Sequence, residues 1–112
     1  MNRLDYKEIN DRICQKKFFH NNGIVLKGIN LLRTQFVSLP DLKYALEPTL
    51  TESEFLDCVN YLTEGGYIRT RHIGTKQETT LADCIPNELE AKVTQKGIQV
   101  IACILKDDCI EV

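Results

Sequence analysis

The chain has no tryptophan, three prolines, six glycines and a single methionine in 112 residues. No apolar run approaches the roughly 20 residues that a membrane-spanning helix needs. The first residues, MNRLDYKEINDR, are charged throughout and lack the apolar centre of a secretory signal. The expectation is a cytoplasmic protein without a membrane partner. No Gly-rich phosphate loop, H-E-x-x-H helix or nucleophile-elbow pentapeptide is present, because Gly65-Gly66 stands alone as a helix stop. The expectation is therefore a non-enzyme with no cofactor. The five cysteines, Cys14, Cys58, Cys84, Cys103 and Cys109, form no C-x-x-C pair, and His20 and His72 lie far from them in sequence. Without close pairs, no metal site is expected. Cys58 and Cys103 sit among apolar helical residues, where a reduced thiol acts as a small hydrophobe.

What is present is an ordinary globular composition, 43% hydrophobic and 27% charged, in a length that suits one domain. The net charge of −2 hides an asymmetry. Residues 1–46 hold eight Lys and Arg against four Asp and Glu, whereas residues 47–112 hold six against twelve. This falls short of the dense basic footprint of a dedicated nucleic-acid binder. No repeat or low-complexity tract is visible.

Local signals divide the chain into elements. Leu4, Ile9 and Ile13, with Tyr6, recur at helical spacing, and His20-Asn21-Asn22-Gly23 reads as a helix stop. GIVLKGINLLRTQ follows as a second helix. Ser38 is an N-cap, Pro40 suits a first turn, and Pro48 disfavours helix at Glu47. Thr51 and Glu54 make a capping box, and Phe55, Leu56, Val59 and Leu62 form a core stripe ended by Gly65-Gly66. Tyr67 to Ile73 alternates as a strand with Arg69 and Arg71 on one side. LEAKV is a returning strand after a polar loop, the one candidate for mobility. Thr94 caps a last helix whose stripe is Ile98, Ile101, Ala102 and Leu105. Phe55, Val59, Leu62, Leu42, Leu46, Ile29 and Ile101 are expected to be buried together.

This order of helix, turn, helix, two-stranded ribbon, helix resembles a winged helix-turn-helix domain. LTEGGYI is similar to the family's entry into the wing, and VTQKGIQVI to the start of its last helix. The fold expected is mainly α with a small β-ribbon (α+β), with residues 1–22 as an extra leader helix and residues 23–112 as the winged-helix domain. The resemblance implies that Glu52–Glu64 is the recognition helix, that residues 74–87 are the wing, and that duplex DNA is the partner.

Charge placement bears on that implication. The outer face of the recognition helix would be Glu52, Ser53, Asp57, Asn60, Tyr61 and Glu64, with no Lys or Arg. Asn60 can pair with adenine, but the carboxylates would be repelled by phosphates. The candidate DNA contacts are therefore Arg69, Arg71, His72 and Lys76 on the ribbon, with Asn60, Lys43 and Lys27 as helpers. Arg3, Lys7, Lys16 and Lys17 extend a second basic patch. Two readings of the arginines stay open, phosphate contact or pairing with acids such as Glu90. Two functions stay open as well. One is a transcriptional or mobile-element regulator that binds DNA mainly through the ribbon. The other is an interaction module that binds a protein partner at the acidic helix face. A homodimer held by the leader helix, the last helix or both is expected.

Overall fold

The computed structural model describes residues 5–32 and 34–112. Arg3 and Leu4, named above, lie outside the described residues. Among the described residues, four α-helices and a three-stranded antiparallel sheet make a mixed α+β domain. Helix α1 spans Tyr6–Ile29, strand β1 Val37–Ser38, helix α2 Leu39–Leu46 and helix α3 Glu52–Glu64. Strand β2 spans Ile68–His72, strand β3 Leu89–Val93 and helix α4 Gln95–Ile101. Among the described residues, no helix is long and apolar enough to cross a membrane.

The caps read from sequence close as expected. The Thr51 hydroxyl accepts from the Glu54 amide at 3.2 Å, and the Glu54 carboxylate accepts from the Thr51 amide at 3.0 Å. Lys17 adds a 2.8 Å ion pair to the same carboxylate. That pair first, and the Thr51 amide second, hold the Glu54 carboxyl down at about 2. Ser38 starts α2, Gly65 ends α3 with Gly66 in the left-handed region at φ 77°, and Thr94 starts α4.

Three expectations are corrected. The His20–Gly23 stop does not exist, because α1 runs unbroken through it for 24 residues. Gly23 is buried, and a Cβ there would overlap the Glu111 carbonyl. The glycine serves a close crossing, not a helix end. The chain at residues 109–111 lies along this turn, with Asn22 Nδ2 donating to the Cys109 carbonyl at 2.9 Å and the Glu111 amide donating to the Phe19 carbonyl at 3.0 Å. Ile110 is buried there. Gly23→Ala tests this crossing. In an open helix it would add up to about 1 kcal/mol of stability. Here overpacking should instead cost about 1–3 kcal/mol, measured by urea denaturation.

The second correction is the sheet, which has three strands in the order β1-β3-β2 instead of a two-stranded ribbon. Val37 pairs with Ala91 and Ser38 with Glu90, so the short β1 covers the free edge of β3. The third is the last helix. It ends at Ile101, and Cys103 turns away at φ 62°. Gly97 and Val100 form its buried face, not Ile98 or Ala102, which are exposed, while Ile101 and Leu105 are half-buried. Gly97 leads because a Cβ there would overlap the Tyr67 carbonyl, so α4 sits hard against the entry of β2.

The core joins Val25 and Ile29 of α1, Leu39 and Leu42 of α2, Phe55, Cys58, Val59 and Leu62 of α3, Ile68 of β2, and Leu89, Ala91 and Val93 of β3. Leu46 and Ile101, expected inside, pack on its edge. Cys58 is fully buried, and burial pushes its thiol up to about 12, so it is an inert apolar group. Cys103, grouped with it in sequence, is exposed.

Candidate nucleic-acid interface

Strand alternation sends Ile68 and Thr70 into the core and Arg69 and Arg71 to the opposite face of the sheet. The antiparallel register then sets Arg69 across from Lys92 and Arg71 across from Glu90. Phe36, just before β1, lies on this face under the guanidinium groups. Arg71 stacks 3.5 Å from its ring centroid and Arg69 lies 6.0 Å away.

Glu90 is the hub of one half of the face. It is only 6% exposed. It accepts from Arg71 Nε at 3.3 Å, Arg71 Nη2 at 3.2 Å and Lys76 Nζ at 2.7 Å. Burial alone would raise its carboxyl, but the pairs with Lys76 and Arg71 outweigh burial and leave it lowered. Lys76 sits at φ 62°, a left-handed position that a non-glycine residue occupies at some cost, and its reach to Glu90 compensates. The acid pairing anticipated for Arg71 is therefore present, and it orders both cations.

The other half is Arg69 and Lys92. Like charges directly opposite across a strand pair are destabilising. Among the described residues neither has a carboxylate within 4.0 Å. Together they line a cleft of about 440 Å³ with Thr34, Val93, Thr94, Gln95 and Ile98. Two hydroxyls, an amide and the two cations sit there beside the aliphatic Val93 and Ile98, and Arg69 also borders a second cleft with Glu78 and Asp83. Lys92 was missed in the sequence, although pairing LEAKV in register with IRTRH would have set it beside Arg69.

The remaining candidates are scattered. His72 ends β2 with Nδ1 accepting from the Gly74 and Thr75 amides at 2.9 and 3.1 Å, and Nε2 lies 3.3 Å from Glu88. Cys84 Sγ lies 3.9 Å from the same carboxylate, giving a His-Cys-Glu cluster with the ligand types of a zinc site. For a metal to take Nε2, the ring proton would have to sit on Nδ1, where it would meet two amide donors instead of an acceptor. The cluster fits a hydrogen-bonded clip of the loop onto β2 better than a metal centre. Lys43 pairs with Glu52 at 3.3 Å. Lys27 is exposed on α1, away from the ribbon residues in sequence and without an ion pair among the described residues. Asn60 is exposed on α3, whose outer face also carries Glu52, Ser53, Asp57 and Glu64. Tyr61, expected on that face, instead turns its hydroxyl to Asp107 at 2.8 Å.

No protein-family model matches the chain, and neither a curated protein nor a solved structure matches it. The reading of the site therefore rests on its own chemistry.

Proposed function

We propose that this chain is a winged-helix-type DNA-binding domain, a transcriptional or mobile-element regulator that holds duplex DNA through the outer face of its sheet. The order α2, turn, α3, ribbon, α4 supports the architecture. One observation carries the function. Arg69, Arg71 and Lys92 share a sheet face that Lys76 reaches from the turn after β2, and among the described residues Glu90 is the one carboxylate within 4.0 Å of any of the four. Such a surplus, anchored on an aromatic ring and bordered by hydroxyls, suits phosphate oxygens. The acidic outer face of α3 makes base reading by that helix unfavourable, so binding is electrostatic and tolerant of sequence.

Fluorescence anisotropy on a random duplex over a salt series tests this. Affinity should fall steeply with salt, and Arg69→Ala with Lys92→Ala should flatten the slope of log K against log salt by roughly 1.8, two phosphates at about 0.9 each. Glu52→Gln with Asp57→Gln should strengthen binding by removing repulsion. No binding at low salt would sink the reading. The second reading, a protein-interaction module, is favoured by Glu52, Asp57 and Glu64, which are exposed on one helix with no Lys or Arg. It predicts a basic partner at α3 and would stand if DNA binding fails.

A further inference from the structure

The first three turns of α1 bury little in their own domain, although Lys17, just beyond them, pairs with Glu54 of α3. Of residues 5–17 only Ile9 is half-buried, and the rest are exposed. The molecule is correspondingly long, 59 Å against 30 and 24 Å in the other directions. A helical segment with so little apolar cover is marginal on its own, since most helical stability comes from packing an apolar face. These turns do carry such a face. Tyr6, Ile9 and Ile13 fall within about 60° of one another at 3.6 residues per turn. Tyr6 is 84% and Ile13 59% exposed.

Charge indicates what covers the stripe. Asp5 and Glu8 flank it early in the helix, and Arg12 and Lys16 flank the same edge later. Laid against an identical helix running in the opposite direction, Asp5 meets Lys16 and Glu8 meets Arg12, each pair occurring twice about a two-fold axis near residues 10 and 11. The same placement sets Ile9 against Ile13 of the second copy. Glu8 already holds Arg12 of its own helix at 3.0 Å, so both side chains are extended along this edge. A parallel pair would place this edge of the two helices on opposite sides of the seam, and these ion pairs would not form.

We propose that α1 is a self-complementary docking arm through which two copies of this chain pair antiparallel. The closed two-fold contact leaves the sheet face and the cleft of Arg69 and Lys92 uncovered on both copies. Only about three turns of each helix take part, so the dimer is small and its dissociation constant on the order of micromolar.

Sedimentation equilibrium of the full chain from about 1 to 100 µM should show a monomer–dimer equilibrium. Ile13→Glu should raise the dissociation constant at least about tenfold. Its circular dichroism and urea midpoint at low concentration should stay close to wild type, because Ile13 is exposed within one chain. Zero-length carbodiimide cross-linking should join Asp5 to Lys16 in the dimer band. These residues stand eleven apart on one helix, about 16 Å, so the link can form only between chains. A monomer at all concentrations, a dimer indifferent to Ile13→Glu, or a dimer lacking the Asp5–Lys16 link would each overturn the proposal. DNA binding is measured separately, so its failure would leave this test intact.

Discussion

Phe55→Ala should lower the stability of the domain by roughly 3–5 kcal/mol, the range for truncating a fully buried aromatic. Phe55 is 1% exposed and is the largest fully buried side chain. It enters from the second turn of α3, on a helix whose start is tied by the capping box, so it cannot drift far to refill the space. The same cluster takes in α1, α2 and the inner face of the sheet, so a cavity there is felt by every element. Urea denaturation followed by circular dichroism checks the value, with the slope expected to hold. Leu56→Ala, half-buried on the same helix, should cost clearly less. Equal losses at the two positions would mean that Phe55 does not occupy the centre of the core.

Asp107→Ala should cost about 2–4 kcal/mol, because three donors lose one charged acceptor. Tyr61 donates to this carboxylate at 2.8 Å, Tyr67 donates to it as well, and the Cys109 amide donates at 2.8 Å. The cluster ties the segment after α4 to α3 and to the start of β2. Burial alone would raise the Asp107 carboxyl, but the bonds from Tyr67, Cys109 and Tyr61 leave it below its usual 3.8. A lowered folded value means that the contribution is complete above about pH 4 and is lost as pH falls through the folded value. The tyrosines set the other limit. Burial, then the neighbouring Asp107, pushes Tyr67 up to about 12 from 10.0 and moves Tyr61 the same way. A raised folded value gives stability that is whole below pH 10 and lost as pH rises toward about 12. Wild type should therefore lose stability at both extremes, and Asp107→Ala should flatten the acid limb in denaturation curves taken across pH.

Much of the architecture was legible because the signals were local. The Thr51–Glu54 capping box, Ser38, Gly65-Gly66 and Thr94 mark element ends through bonds to residues four positions away or nearer. The alternation of IRTRH and LEAKV needs only the pleat. Features set by distant partners were not legible. Gly23 after two asparagines looks like a helix end, and only the Glu111 carbonyl against it shows otherwise. β1 is two residues long, too short for a pattern. The apolar pattern points to Ile98 and Ile101 over Gly97 and Val100 because a glycine carries no apolar signal, although its missing side chain decides which face of α4 docks. The charged face was half legible. Arg69, Arg71 and Lys76 stand out as cations on a ribbon, but their division into a Glu90-bound pair and a pair of Arg69 with Lys92, which has no ion pair among the described residues, depends on cross-strand register.

The crossing at Gly23 has a consequence for the order of assembly. Asn22 and Cys109 are 87 positions apart, so the middle of α1 finds its cover only after nearly all the intervening chain is arranged. Closing a loop of that size is slow, since its entropy is lost before the contact returns anything. The long first helix would exchange with coil within microseconds until its cover arrives, with its Asn21–Gly23 side the last to be closed. This side should gain amide-exchange protection late, after the capping box of α3. A refolding experiment with pulsed hydrogen exchange would resolve the two phases, and Gly23→Ala would delay the second without touching the first.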